Sequence, residues 1–336
     1  MSAVVSAPAI LSGQSDLLEL YDLDGTLTTP SFDSPEGESY LDSAGLFLAS
    51  QIPFLSGRSG DVVERLHQTI MTEVHPFRHQ LRFWAEFPTV QRNVVKICPS
   101  VDHYLLTPFG AKIFLEREMA EAGEGSAGAV QIAAFLGNPE WVNTMYGYAA
   151  DQSLPYAQMD DDVHGVLENR LTRGGLIAIF TNSSLKKARR VAVQGGFEKY
   201  IVEDRLERGK LGLIGNGKKM LIDESWPEEA KPRETRWGDQ VDVSSFFEDG
   251  TVVDLRRRAY YERVAGLMAE AGARRLWMVG DIVSLELLPA ANWLKFSPTV
   301  VMRETPMSTD HEKRIARELI GARVVSTLSE AVSDLG

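Results

Sequence analysis

Asp22-Leu23-Asp24-Gly25-Thr26 sets two carboxylates two residues apart at the end of an apolar run. If the chain leaves the extended form after Asp22, which Gly25 permits, both can face one site. Paired carboxylates offer the oxygen ligands that magnesium prefers. They also allow a division of labour: one ionised aspartate attacks as nucleophile while the other donates or takes a proton. An Asp-Gly pair is also an ordinary turn, so the pair gains weight only from company. Two more apolar runs end in polar groups of the same kind. Thr181-Asn182 follow Leu176-Ile177-Ala178-Ile179-Phe180, and Asp281 follows Leu276-Trp277-Met278-Val279-Gly280.

The elements that must position these groups read as buried strands and amphipathic helices. Leu17-Leu18-Glu19-Leu20-Tyr21, Leu176 to Phe180 and Leu276 to Val279 are short apolar runs bounded by turn residues. Thr299 to Met302 and Tyr200 to Val202 are weaker strand candidates. Helical spacing appears in Val264, Leu267, Met268 and Ala271 with Gly272 as C-cap, in Val62, Val63, Leu66, Ile70 and Val74, and over Ala111 to Ala122. Thr309-x-x-Glu312 is a capping box that opens a helix through Ile320. Strands alternating with helices predict an α/β fold, a parallel sheet with helices on both faces. Ligands of such sheets bind at the carboxyl ends of the strands.

Two stretches are too long for single crossovers. Residues 30–170 are expected to form a large, mainly helical cap, and residues 211–255, with strand-like Val241-Asp242-Val243 and Thr251-Val252-Val253, a smaller insert. The core is then 14–29 with 171–336.

Composition narrows the partners. The chain has 336 residues, 44% hydrophobic and 24% charged, with a net charge of −12. That is globular usage with ample core, which excludes disorder and a disulfide-stapled scaffold. The acidic balance disfavours nucleic acid and anionic membranes as partners. Cys98 is the single cysteine, Met1 to Gly13 lacks a basic leader, and no apolar run is long enough to span a bilayer. These point to a cytoplasmic protein acting on a small molecule. They leave its oligomeric state open.

The three strand-end motifs in this order, Asp22-Leu-Asp-Gly-Thr-Leu-Thr28, Phe180-Thr181-Asn182-Ser183 and Val279-Gly280-Asp281, resemble the haloacid dehalogenase-like (HAD) superfamily of phosphohydrolases. The resemblance covers the core and not the cap. It implies a Rossmann-like core in which Asp22 attacks phosphorus to form an aspartyl-phosphate. Asp24 would protonate the leaving oxygen and then activate water. Thr181 and the backbone around Asn182 would hold the phosphoryl oxygens, with Gly25, Thr26 and Arg257 also on the substrate. Asp22, the carbonyl of Asp24, and Asp281 would bind Mg2+. The substrate would be a small phosphorylated metabolite. The second aspartate favours phosphoryl transfer over carbon–halogen cleavage. Transfer to another hydroxyl instead of water, and a fold kept for binding alone, are the alternatives.

The sequence departs from the family pattern in two places. Four residues after Asp281, where the family often has an acid, stands Leu285, and Glu286 lies one further on. Glu286 is taken as a metal ligand, against an exposed glutamate in a first helical turn. The basic residue that bridges nucleophile and phosphate has three candidates. Gly196-Phe197, Ile201-Val202-Glu203-Asp204 and Arg208-Gly209-Lys210 resemble the family's approach to that lysine, so Lys210 is preferred. The Arg256-Arg257-Arg258 cluster comes next, and Lys218 or Lys219 after it.

Other signals stay weak. Gly212 to Lys219 has a G-x4-G-K skeleton but no hydroxyl for magnesium at position 219, so it reads as a glycine-rich turn. His75 and His79 flank Pro76 without a third ligand for zinc. Asp160-Asp161-Asp162 reads as a solvated helix start. Lys186, Lys187, Arg189 and Arg190 read as either a local positive potential or an exposed helix face. Asn182-Ser183-Ser184 matches the glycosylation pattern in a chain without an export signal. Phe83, Trp84 and Phe87 read as cap core.

Overall fold

Glu19 is buried in the middle of a strand, β1 (Leu17–Tyr21), because β1 has a strand on each side and helices on both faces. The computed structural model describes residues 16–28, 34–76, 103–219, 221–246, 252–306 and 308–335. His79, Phe83, Trp84, Phe87, Cys98 and the segment Met1 to Gly13 lie outside them.

After β1 the chain runs through α1 (Pro35–Gln51), α2 (Ser59–Thr69), α3 (His103–Ala122), α4 (Ala127–Leu136), α5 (Trp141–Ser153) and α6 (Asp161–Thr172). Then come β2 (Leu176–Phe180), α7 (Leu185–Gln194), β3 (Ile201–Glu203) and β4 (Leu211–Ile214). A hairpin of β5 (Gln240–Asp242) and β6 (Val252–Asp254) precedes α8 (Arg258–Ala271) and β7 (Arg275–Gly280). The chain closes with α9 (Leu288–Asn292), β8 (Thr299–Arg303), α10 (Asp310–Arg314), β9 (Arg323–Val325) and α11 (Leu328–Ala331).

Seven strands form one parallel sheet in the order β3-β4-β2-β1-β7-β8-β9. From β1 the chain first builds outward through β2 to one edge, then returns to β7 and builds to the other. That reversal at β1 opens a crevice at the strand carboxyl ends, the place where such sheets bind ligands. Side chains alternate across the sheet. Leu18, Leu20, Phe180 and Met278 pack on one face with Tyr260, Val264 and Leu267 of α8. Tyr21, Ile177, Ile179 and Val279 pack on the other with α6 and α7.

The helical region has its own core, in which Tyr40, Leu48, Leu66, Phe114, Ile132 and Met145 meet. Ile222, Ile282 and Leu285 join it from the sheet side, so this region rests on the loops beside Asp281. Two expected boundaries shift. Helix α6 packs Val163, Leu167 and Leu171 under the sheet, so the helical region ends before it, not at 170. The stretch 211–255 begins with β4, an inner strand of the sheet, because Leu211 and Leu213 are apolar on one face of a short run and Ile214 on the other. What remains of the insert is the hairpin, and its Val241 and Val253 share the core of the sheet. The capping box at Thr309 and the left-handed Gly272 cap are as the sequence predicts.

Candidate active site

Asp22 follows directly on β1 and continues its pairing: its amide donates to the Val279 carbonyl at 3.0 Å. The chain then folds back, with the amides of Leu27 and Thr28 both donating to the Leu23 carbonyl. Gly25 makes that turn at φ +83°, and a Cβ there would sit 2.0 Å from Oδ2 of Asp281. Only glycine lets the backbone approach Asp281 this closely. Asp22, Asp281 and Glu286 thus bring carboxylate oxygens within 4.8 Å of one another.

Glu286 reaches the site although it stands one residue later than the family pattern places an acid. Val283–Leu287 is a π-helical turn, which holds one more residue per turn than an α-helix would and carries Glu286 inward. The side chain is almost wholly buried, not exposed at a helix start.

The cation among these carboxylates is Lys219. Its Nζ lies 2.6 Å from Asp22 Oδ1 and 3.3 Å from Glu286 Oε1, and 5.5 Å from the centre of the Phe180 ring. The glycine-rich turn after β4 brings it there. The Asn216 amide donates to Ser183, the Gly217 amide to Thr181, and the Lys219 amide to Asn182 Oδ1 at 2.8 Å. A Cβ on Gly215 would come within 2.5 Å of the Leu185 nitrogen at the start of α7, and one on Gly217 within 3.0 Å of the Thr181 carbonyl oxygen, so the turn's glycines serve close approach to the segment after β2.

Burial works against the charge on Lys219, but Asp22 and Glu286 outweigh it and raise its pKa. Burial raises the Asp22 pKa; Lys219 opposes that and Asp24 adds to it. Burial pushes Glu286 up to about 8, with Lys219 opposing and Asp22 adding.

Of the expected residues, Asp22, Asp281 and Glu286 converge, with Asp24 and Thr181 beside them. The Asp24 carboxylate is outside that oxygen cluster. Its Oδ2 accepts from Ser183 Oγ at 2.5 Å, and its Oδ1 lies 2.6 Å from Lys187 Nζ. Thr181 Oγ1 accepts from the Ser183 amide at 3.0 Å. Thr26 is wholly buried, with its carbonyl held by Arg303.

Two expectations are corrected. Lys210 sits just before β4, at the amino end of the strands whereas Asp22 is at the carboxyl end, and donates to the Lys199 carbonyl at 3.0 Å. Lys219, beyond the other end of the same strand, is the lysine that pairs with Asp22. Arg257 is also not offered to a substrate. It is fully buried and donates to the carbonyls of Lys219, Ser284 and Asp254, bracing the lysine's backbone. Arg256 and Arg258 pair with Asp254 and Glu262.

The aspartates at 160–162 open α6 as expected, with Asp161 exposed, while Arg303 pairs with Asp160 at 2.8 Å and Asp162 at 3.1 Å. Sequence reasoning quoted Ser183 within its motif but gave neither it nor Glu36 a role at the site. It left Lys187 between two readings.

The donor set fits a hard divalent cation. Three carboxylates cluster around a site in which Lys219 pairs with two of them, and Glu286 Oε2 is buried with no hydrogen-bond partner among the described residues. A buried carboxylate oxygen left unmatched is costly unless a cation meets it.

No family model matches the chain, and no curated protein does. Solved structures similar to it include a dehalogenase with an intermediate complex, at 12% identity over 95% of this chain and 97% of that one, TM-score 0.39. A Clostridium difficile protein described as a candidate phosphatase is similar at 14% identity over 95% and 97%, TM-score 0.45. L-2-haloacid dehalogenase from Xanthobacter autotrophicus is similar at 11% identity over 94% and 86%, TM-score 0.33. At such values chemistry has to come from the chain's own residues. The parallel sheet, its reversal at β1 and the meeting of Asp22 with Asp281 agree with the HAD-like resemblance of the motifs.

Proposed function

We propose that the protein is a magnesium-dependent hydrolase of a small phosphomonoester, working through an aspartyl-phosphate on Asp22. The observation that carries this reading is Lys219 seated between Asp22 and Glu286, with Asp281 alongside. An ammonium at the nucleophile holds it ionised and oriented, and offers its third N–H to a phosphoryl oxygen.

Asp22, Asp281 and Glu286 would hold the magnesium ion, which supplies Lewis-acid stabilisation of phosphoryl charge when bound. An Asp22 carboxylate oxygen bonds to phosphorus as the ester P–O bond breaks. The leaving oxygen takes the proton carried by Asp24. Water then attacks phosphorus, the Asp22–phosphorus bond breaks, and Asp24 takes the proton from that water. The products are an alcohol and inorganic phosphate, with both aspartates restored. Thr181 Oγ1 accepts from a backbone amide, which leaves its own proton for a phosphoryl oxygen.

Asp24 supports phosphate chemistry over dehalogenation, because an alkoxide leaving group needs a proton and a halide does not. The test is turnover of a broad phosphate-ester panel with magnesium, wild type against Asp22→Asn. The expected result is release of inorganic phosphate that falls by at least about 10³-fold in the variant. No turnover on the panel, or full activity in the variant, overturns the reading.

A further inference from the structure

Lys187 has a position that the reaction as written does not use. It lies in the first turn of α7, where the helix dipole disfavours a cation. Its Nζ is 2.6 Å from Asp24 Oδ1 and 2.7 Å from Glu36 Oε1. Asp24 belongs to the turn after β1. Glu36 belongs to the first turn of α1, the start of the helical region, and is 4% exposed.

Three elements therefore meet at one buried charge cluster. Burial would lower the Lys187 pKa, but Asp24 and Glu36 outweigh it and raise it, so the ammonium stays charged. Ser183 holds the other oxygen of Asp24, so the carboxylate is fixed from both sides. A cavity of about 270 Å3 lined by Thr28, Glu36, Tyr156 and Met159 adjoins the same glutamate.

We propose that Lys187 is a positioning residue that fixes the Asp24 carboxylate and ties it, through Glu36, to helix α1. Seating of the helical region and placement of the proton-transfer group then occur together. The proposal rests on the reading of Asp24 as proton donor and acceptor. Removing Lys187 leaves the buried Glu36 and the half-buried Asp24 without their cation, which is where such pairs are most sensitive, whereas removing the Glu36 charge leaves Lys187 paired with Asp24 alone.

The test uses Lys187→Met, Lys187→Arg and Glu36→Gln in the full chain, with a thermal melt to confirm folding. Two quantities are read: steady-state turnover of a phosphate ester, and hydrogen exchange of the amides of residues 35–51. Lys187→Met is expected to lower kcat about 10–100-fold with KM within about a factor of two, the signature of a misplaced reacting group. The same variant speeds α1 exchange about tenfold or more, because the local opening energy falls. Lys187→Arg recovers part of both losses, and Glu36→Gln speeds α1 exchange with a smaller loss of kcat.

Unchanged kcat in Lys187→Met overturns the positioning of Asp24, and unchanged α1 exchange in Lys187→Met and Glu36→Gln overturns the tie to the helix. If the wild type hydrolyses no phosphate ester, the phosphohydrolase reading fails. The exchange measurement still decides whether the joint holds α1.

Discussion

Strand β1 ends one buried charge cluster and carries another three residues earlier, and the two are built on opposite plans. Glu19, in the middle of the strand, has both oxygens matched. Arg170 donates to Oε1 at 2.6 Å and 3.1 Å, and the Tyr21 hydroxyl donates to Oε2 at 2.7 Å. One anion meets one cation, and Arg170 also holds the Leu335 carbonyl near the end of the chain. At the strand's end, Asp22 and Glu286 share one ammonium beside the carboxylate of Asp281, and one Glu286 oxygen is left unmatched. A balanced buried pair holds the fold. An unbalanced one keeps room for a ligand that the fold alone does not supply, as the proposed reaction requires.

The contrast is broken most strongly at Arg170. Arg170→Met leaves Glu19 charged and unpaired in the core, so unfolding free energy in a urea titration should fall by about 3–5 kcal/mol. Turnover per folded molecule should hold, because Arg170 touches nothing at the site.

Glu286→Gln should behave in the opposite way. It removes a carboxylate from a site with too many, so above pH 8 the metal-free variant should melt no lower than metal-free wild type, and higher if the repulsion dominates. The same variant should lose stabilisation by added magnesium, and turnover with it. A large drop in metal-free melting temperature would mean that Glu286 is structural, like Glu19.

The smallest effect is the pH slope. Glu286 is pushed up to about 8 from an ordinary value near 4.5. The folded state therefore binds the proton more tightly than the unfolded state. The stability this confers is complete below about pH 4.5 and is lost as pH rises through about 8. Thermal melts of metal-free protein should show that decline, Glu286→Gln should flatten it, and magnesium should stabilise more at pH 8.5 than at pH 6.

Much of this site is legible in the sequence because strand ends are. A run such as Leu176 to Phe180 is apolar on both faces, so its first polar residue marks where the strand leaves the sheet. Asp22, Thr181 and Asp281 are found that way.

Lys219 is harder, since Lys218 stands beside it and nothing in composition says which one turns inward. The backbone decides: Asn216 and Lys218 take positive φ values of 51° and 52°, and that twist aims Lys219 at Asp22. Lys210 misleads because its local run matches a familiar pattern while the direction of the strand that follows leaves it at the amino end of the sheet, away from the site.

Glu286 depends on a π-helical turn that helical periodicity does not reveal. Lys187 did carry a physical signal. A cation in the first turn of a helix opposes the dipole, and such a placement asks for nearby anions, here Asp24 and Glu36. The helical region offers no comparable cue, because its core of Tyr40, Leu66, Phe114 and Met145 reports packing and not chemistry.

The central claim is that Asp22 carries the phosphoryl group during turnover. The most direct measurement is chemical trapping: protein mixed with a phosphate ester and magnesium is quenched, reduced with borohydride and mapped by peptide mass spectrometry. The account predicts a reduced side chain at position 22, dependent on both ester and magnesium and absent from Asp22→Asn. Phosphate release that continues in Asp22→Asn, or a trapped group at any other residue, would contradict it.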